Sequence, residues 1–282
     1  MIPLGGAWVL ALLALGPGLG GAAPALGAES APSPQIPPEG LEDGTDGAAG
    51  YRLEPTPDHV LERFGAERLA VLEKLNRADV DHLPALDDLV LPDRWDLEPE
   101  AYSPLPRHLH ELEEHEKALV VHQPLQVFAG YEHGELVRWG PVSTGRREHP
   151  TPEGLFHLNW PSRGRVSTVN PDWYLEWYYN FHNERGLSFH RYPLPGDPAS
   201  QACVRLLERD ARWLFDWGEG WVLDEEERHV LETGTPVWIL GEYDYDAPPP
   251  WTDPDDPHPS ASRDAVEEAV RTWAEEAEPE DR

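Results

Sequence analysis

The chain of 282 residues holds a single cysteine. It lies in the stretch Ser200-Gln201-Ala202-Cys203-Val204-Arg205, with His190 upstream of it. A lone thiol cannot close an intramolecular disulfide, so it is either an inert buried hydrophobe or a group kept for its reactivity. The neighbours are those a reactive thiol needs. An imidazole takes the thiol proton and later returns one to a leaving amine. Arg191 to Ala199 is too rich in Pro and Gly for a helix or a central strand, and reads as a loop carrying Cys203 towards His190. The apolar spacing of Val204, Leu206, Leu207, Ala211, Leu214 and Phe215, ending at Gly218, predicts a short helix. That places Cys203 at a helix start, where unpaired N–H groups and the dipole favour a thiolate. The N–H groups of Ala202 and Cys203 are candidates for an oxyanion hole, with Ser200 and Gln201 in support. Arg205 is near enough to hold a substrate carboxylate or to fix the loop.

The elements that position these residues read as β. Ala118-Leu119-Val120-Val121 and Leu125 to Ala129 are strand-like runs. Leu136 to Trp139 and Pro141 to Gly145 follow a turn at Glu132 to Glu135, so short loops join antiparallel strands. Leu155 to Trp160, Leu187 to Phe189 and Thr235 to Leu240 continue the series. Trp173 to Phe181 is unusually aromatic and reads either as a core strand or as the wall of a substrate cleft. Trp177 and Tyr179 within it, and Tyr192 beyond it, are the candidates for substrate contact.

The rest of the chain divides by composition. Residues 1–28 read as an export signal: Leu4 to Leu15 is apolar but too short to span a bilayer, and small residues follow it. Residues 29–50 read as a disordered linker. Residues 51–93 form a small α+β unit in the order strand, helix, helix, strand, with Gly65 ending the first helix. Residues 94–117 read as a solvated connector. His108, His110 and His115 within it do not have the spacing of a compact zinc motif, so no metal and no cofactor are expected. Residues 118–242 are the catalytic candidate, and residues 243–282 an acidic disordered tail with one short helix. The net charge of −31 excludes nucleic acid as a partner. Between Ala118 and Glu242 there are 11 Arg against 18 Asp and Glu, so most of that charge lies in the flanks.

Three stretches together resemble the L,D-transpeptidase catalytic domain family (YkuD type). Ser143-Thr144-Gly145 with Pro150-Thr151-Pro152-Glu153-Gly154 is similar to the family's turn before a core strand. His190 matches its upstream histidine, and Ser200-x-x-Cys203-Val204-Arg205 its nucleophile motif. The 51–93 unit resembles a degenerate LysM module, which implies contact with glycan strands. The resemblance implies a β-sandwich with Cys203 as nucleophile and His190 as proton carrier. It also implies peptidoglycan stem peptides as donor and acceptor, and a place in the periplasm or cell envelope. The thiolate would expel the terminal D-alanine of a tetrapeptide, and an amine of a second stem would resolve the thioester into a 3-3 crosslink. Water as acceptor would make the protein an L,D-carboxypeptidase, the same fold could serve a different amidase or peptidase of stem peptides, and a decayed site would leave a non-catalytic wall-binding protein. Gln201 stands where the family has His, and Gln cannot exchange a proton. Ala202 and Arg191 stand where Gly is common, and Ala202 is strained by ~1 kcal/mol if its φ is positive.

Overall fold

Ala118-Leu119-Val120-Val121 has no polar face, which suits a strand covered on both sides. The computed structural model, which describes residues 50–226 and 228–277, places it there. The predicted export signal, and the 29–50 linker apart from Gly50, lie outside the described residues.

The strands are β1 (Tyr51–Pro55), β2 (Asp88–Pro92), β3 (Ala118–His122), β4 (Val127–Glu132), β5 (Glu135–Ser143), β6 (Gly154–His157), β7 (Pro161–Val166), β8 (Tyr174–His182), β9 (Leu187–Arg191), β10 (Val204–Leu206), β11 (Val222–Leu223), β12 (Val230–Glu232) and β13 (Pro236–Leu240). The helices are α1 (Val60–Asn76), α2 (Glu208–Trp217) and α3 (Arg263–Ala277). The fold is mainly β. Nine strands form one sheet in the order β6-β13-β3-β4-β5-β10-β9-β8-β7. The pairs β13–β3 and β10–β9 are parallel and the others antiparallel. Side chains from its two halves pack into one core. Leu119, Val121, Phe128, Val237 and Ile239 meet Tyr179, Phe181, Phe189, Val204 and Leu206. The sheet is therefore curled onto itself as a sandwich.

The outer face of the β3–β4–β5–β13 half is covered by segments whose sequence reads as flanking. Val120, Ala129, Trp139 and Trp238 pack there against Leu75, Val90, Tyr102, Leu105, Leu109, Leu112, Val266 and Val270. Three expectations are corrected by this. The 51–93 unit has a small core of its own, with Val60, Leu72, Leu83 and Leu89, but it also docks on the sheet. Buried Arg77 fixes that docking: its guanidinium donates to Lys74 O and Leu75 O at the end of α1 and to Leu125 O beside the sheet. Its predicted pair of helices is present, since α1 is two helical stretches divided at Gly65, where φ is +68° and the backbone is not helical. The 94–117 connector is not solvated throughout, because its leucines and Tyr102 face the sheet. Residues 243–277 are not disordered either: Val266 and Val270 of α3 are buried, and Trp238 Nε1–H donates to Val270 O at 3.1 Å. A sparse apolar set at helical spacing suffices where a half-covered sheet needs a lid.

The fourth correction concerns the cysteine. No helix starts at Val204. Val204-Arg205-Leu206 is a strand between β5 and β9, and the helix begins at Glu208. Among the described residues no helix is long and apolar enough to cross a membrane.

Candidate active site

Strand pairing brings the thiol and the imidazole to one face. In the parallel pair β9–β10, Val204 aligns with Phe189 and Arg205 with His190. Alternation then puts Ser188, His190, Cys203 and Arg205 on the same side of the sheet, with Phe189 and Val204 in the core behind them. One register step back sets Cys203 beside Ser188, and the Ser188 hydroxyl donates to Cys203 Sγ at 3.6 Å. Gly186 O lies 3.9 Å from the same sulfur. His190 Nδ1 is 3.1 Å from Arg191 O. A carbonyl only accepts, so Nδ1 carries the proton and Nε2 keeps the lone pair a general base needs.

The loop before Cys203 is held by the Ser143-Thr144-Gly145 turn at the end of β5. Ser143 Oγ donates to Asp197 O at 2.7 Å and accepts from Ala199 N–H at 3.0 Å. Ser200 N–H donates to Thr144 O, and Arg146 N–H donates to Ser200 O. Thr151 Oγ1 accepts from Gly145 N–H at 2.8 Å and donates to Ala202 O at 3.1 Å. Buried Gln126 clamps the turn from behind, accepting from Thr144 N–H at 2.9 Å and donating to Thr144 Oγ1 at 2.8 Å. Gly145 is required for this closeness, since a Cβ there would lie 2.1 Å from His149 O. Ser200 Oγ donates to Cys203 O. Ala202 between them has a φ of +68°, the left-handed conformation that strains any residue but Gly.

Arg205 acts as a loop clamp. Its guanidinium donates to Pro193 O at 3.1 Å and Ala199 O at 2.7 Å, and lies over the Tyr192 ring at 4.7 Å.

Two cavities meet at the sulfur. One of about 40 Å³ is lined by His190, Tyr192, Trp173, Gln201, Arg205 and Cys203. The other, about 190 Å³, is lined by Cys203, Gln201, Tyr178, Asn180, Arg165 and Arg185 among others. Ser167 and Val169, in the β7–β8 connection, border both. Burial governs the charge state here. It pushes the Cys203 thiol up, against smaller downward pulls from Ser188 and Arg205. It pulls His190 down to about 4, where the Arg191 carbonyl opposes and Arg205 adds to the shift. The resting pair is therefore neutral thiol and neutral imidazole. Without a helix start at Cys203, the expected dipole stabilisation of a thiolate has no source.

Cys203, His190, Ser200, Gln201, Arg205 and Tyr192 come together around these cavities, and Ala202 backs them. Trp177 and Tyr179 do not. A bulge in β8 places Trp177 at a φ of +51° and shifts the alternation by one residue. Leu175, Tyr178 and Asn180 consequently face the site. Tyr179 and Phe181 enter the core, while Trp177 packs against Phe215 of α2 and under Arg163 and Arg212. Ser188 and Asn180 are site residues that sequence reasoning missed. Ser188 had a usable signal, since it lies two positions before His190 on one strand.

Residues 116–239 match the model of the YkuD family, described as the L,D-transpeptidase catalytic domain. Among solved structures, the chain is similar to an L,D-transpeptidase from Stackebrandtia nassauensis, at 21% identity over 46% of this chain and 58% of that one, with a TM-score of 0.38. It is similar to an L,D-transpeptidase from Mycobacterium smegmatis at 18% identity, over 45% and 59% of the two chains, with a TM-score of 0.36. An L,D-transpeptidase from Mycobacterium tuberculosis H37Rv gives 21% identity, 45% and 58% coverage, and a TM-score of 0.36. The chain thus spans less than two thirds of the length of these structures. No curated protein matches it.

Proposed function

We propose, from the match of residues 116–239 to the L,D-transpeptidase catalytic domain model, that the protein is a cysteine acyltransferase of peptidoglycan stem peptides, acting in the cell envelope. The observation that carries this reading is the pairing of Cys203 and His190 on one face of β9–β10, lining a common cavity. Cys203 Sγ attacks the carbonyl of the third residue of a tetrapeptide stem while His190 Nε2 takes the thiol proton. The C–N bond to the terminal D-alanine breaks, and the imidazolium returns the proton to the leaving amine. An amine of a second stem then attacks the thioester, giving a 3-3 crosslink and restoring the thiol.

The two cavities meeting at Sγ suit separate donor and acceptor peptides, and Arg165 and Arg185 in the larger one suit a carboxylate-bearing peptide. Water entering in place of the amine gives a tripeptide instead. Contact of residues 51–93 with glycan strands belongs to the same proposal, and a sacculus pull-down with the Cys203→Ala protein reads it separately.

Intact-protein mass after incubation with a carbapenem tests the nucleophile. One covalent adduct on the wild type and none on Cys203→Ala is the expected result. An equal adduct on both, or none on either, contradicts the assignment.

A further inference from the structure

A second cluster lies at the other end of β5 from Ser143, and the acyl-transfer chemistry does not use it. Leu109 N–H donates to Gly134 O and Leu136 N–H to Arg107 O, both at 2.9 Å, and His108 pairs with Glu135. The segment is thereby zipped onto the turn of the β4–β5 hairpin. The chain then bends through the single 3-10 turn His110–Leu112, capped by Glu113. These two local structures bring three groups together that the sequence keeps at uneven spacing. His108 Nε2, His110 Nδ1 and Glu113 Oε1 form a triangle with edges of 3.1, 2.9 and 2.9 Å.

Hydrogen bonding serves this triangle poorly. The carboxylate oxygen only accepts, so each ring nitrogen must bring a proton to it, and two N–H groups then face one another across 3.1 Å. If either nitrogen lacks its proton, a lone pair points at an anion. A cation satisfies all three atoms at once. Zinc takes imidazole nitrogen at ~2.0–2.1 Å and carboxylate oxygen at ~2.0–2.2 Å, which makes the edges of a tetrahedral site ~3.3 Å. The observed edges reach that with small rotations of the exposed His110 and Glu113 side chains. The outer nitrogen of His108 is also engaged as in a metal site: Nδ1 lies 2.9 Å from Glu135 Oε1. Such a carboxylate fixes the tautomer that turns the Nε2 lone pair inward. The backbone of His110 is anchored as well, its N–H donating to Glu267 Oε1 of α3 at 2.9 Å. His115 takes no part and packs edge-on against Trp238.

We propose that His108, His110 and Glu113, with Glu135 behind His108, bind a divalent first-row transition metal of the zinc class. The site staples the 107–113 segment to the β4–β5 hairpin. Two nitrogens and one oxygen select against Ca²⁺ and Mg²⁺, which take oxygen ligands. The fourth position faces solvent and is left to water.

The full chain, prepared without a histidine tag, is titrated with Zn²⁺ by calorimetry and with Co²⁺ by visible absorption. One equivalent of each should bind, with ligand-field bands of nitrogen-ligated Co²⁺ and no response to Mg²⁺. At about a hundredfold excess over Kd, Zn²⁺ should raise Tm by about 5 °C or more. H110A should weaken Zn²⁺ by ~100-fold, and E135Q by ~10–100-fold as the loss of an outer partner. H110A should keep the wild-type circular dichroism, because His110 is mostly exposed. H133A, which removes a nearby imidazole outside the triangle, should bind as wild type. Absence of stoichiometric binding, or equal binding by wild type and H110A, overturns the proposal. Loss of binding in H133A as large as in H110A overturns the ligand set.

Discussion

His190 is the residue on which the proposed chemistry turns, and its burial is as important as its position. An imidazole with an ordinary pKa near 6.5 loses its base form below that pH. His190 is held down to about 4 by desolvation, so its base form persists well below pH 6. Acylation by a carbapenem, measured as second-order rate against pH, should stay level from pH 7 to about pH 5 and fall only below that. An acid limb with an apparent pKa near 6.5 would show that His190 is solvated or is not the base. That Cys203 and His190 would come together was legible in the sequence because their setting is rare: one Cys, with a His at the end of an apolar run. Trp177 and Tyr179 were misplaced for a physical reason. A bulge with one residue at positive φ breaks the period of two, and nothing in a row of aromatics marks where it falls. Ala202 was legible as a point of strain, and its φ of +68° places it in the region where that strain arises.

At the scale of elements, the loop that carries Cys203 is shaped by β5 and the turn that ends it. Gly145 is the tightest point, with His149 O, Thr151 N and Pro150 C all inside the contact distance of an added Cβ. Gly145→Ala must push backbone apart. We expect a loss of ~2 kcal/mol or more in urea unfolding, and a fall in acylation rate larger than that stability loss alone produces at pH 7. An unchanged midpoint would mean the loop is not held by this turn. The hairpins of residues 118–143 and the closing strand 236–240 were readable from apolar runs divided by turn residues. The three-residue β10 was not. Val204-Arg205-Leu206 alternates like a strand and also begins a helical pattern, and only pairing with β5 and β9 decides between them.

For the whole molecule, desolvated neutral histidines link folding to acid, His190 and His258 among them. Desolvation lowers His190 to about 4 and His258 to about 3, with Arg77 adding to the shift at His258. Both lie below the unfolded value of 6.5, so the unfolded chain binds more protons in the interval. Their stability is complete above pH 6.5 and is lost as pH falls towards 4 and 3, by ~2 kcal/mol for each by pH 5. Relief of repulsion among the surface carboxylates acts in the opposite direction, so the variant His258→Gln serves as reference. Its stability should fall less steeply between pH 6.5 and 5 than that of the wild type, and equal slopes would contradict the linkage. His258 belongs to the stretch that composition marked as an acidic tail, and it shows why that stretch was misread. Sparse residues such as Trp251, His258, Val266 and Val270 become core only because a sheet face awaits them.

Acyl transfer through Cys203 on stem peptides is the chemistry proposed for this protein. Muropeptide analysis of isolated sacculi, incubated with wild-type or Cys203→Ala protein, tests it most directly. The wild type should give new dimers joined through the third residues, or tripeptides with released D-alanine, and the variant neither. An unchanged muropeptide profile with the wild type, or identical products from both proteins, would contradict it.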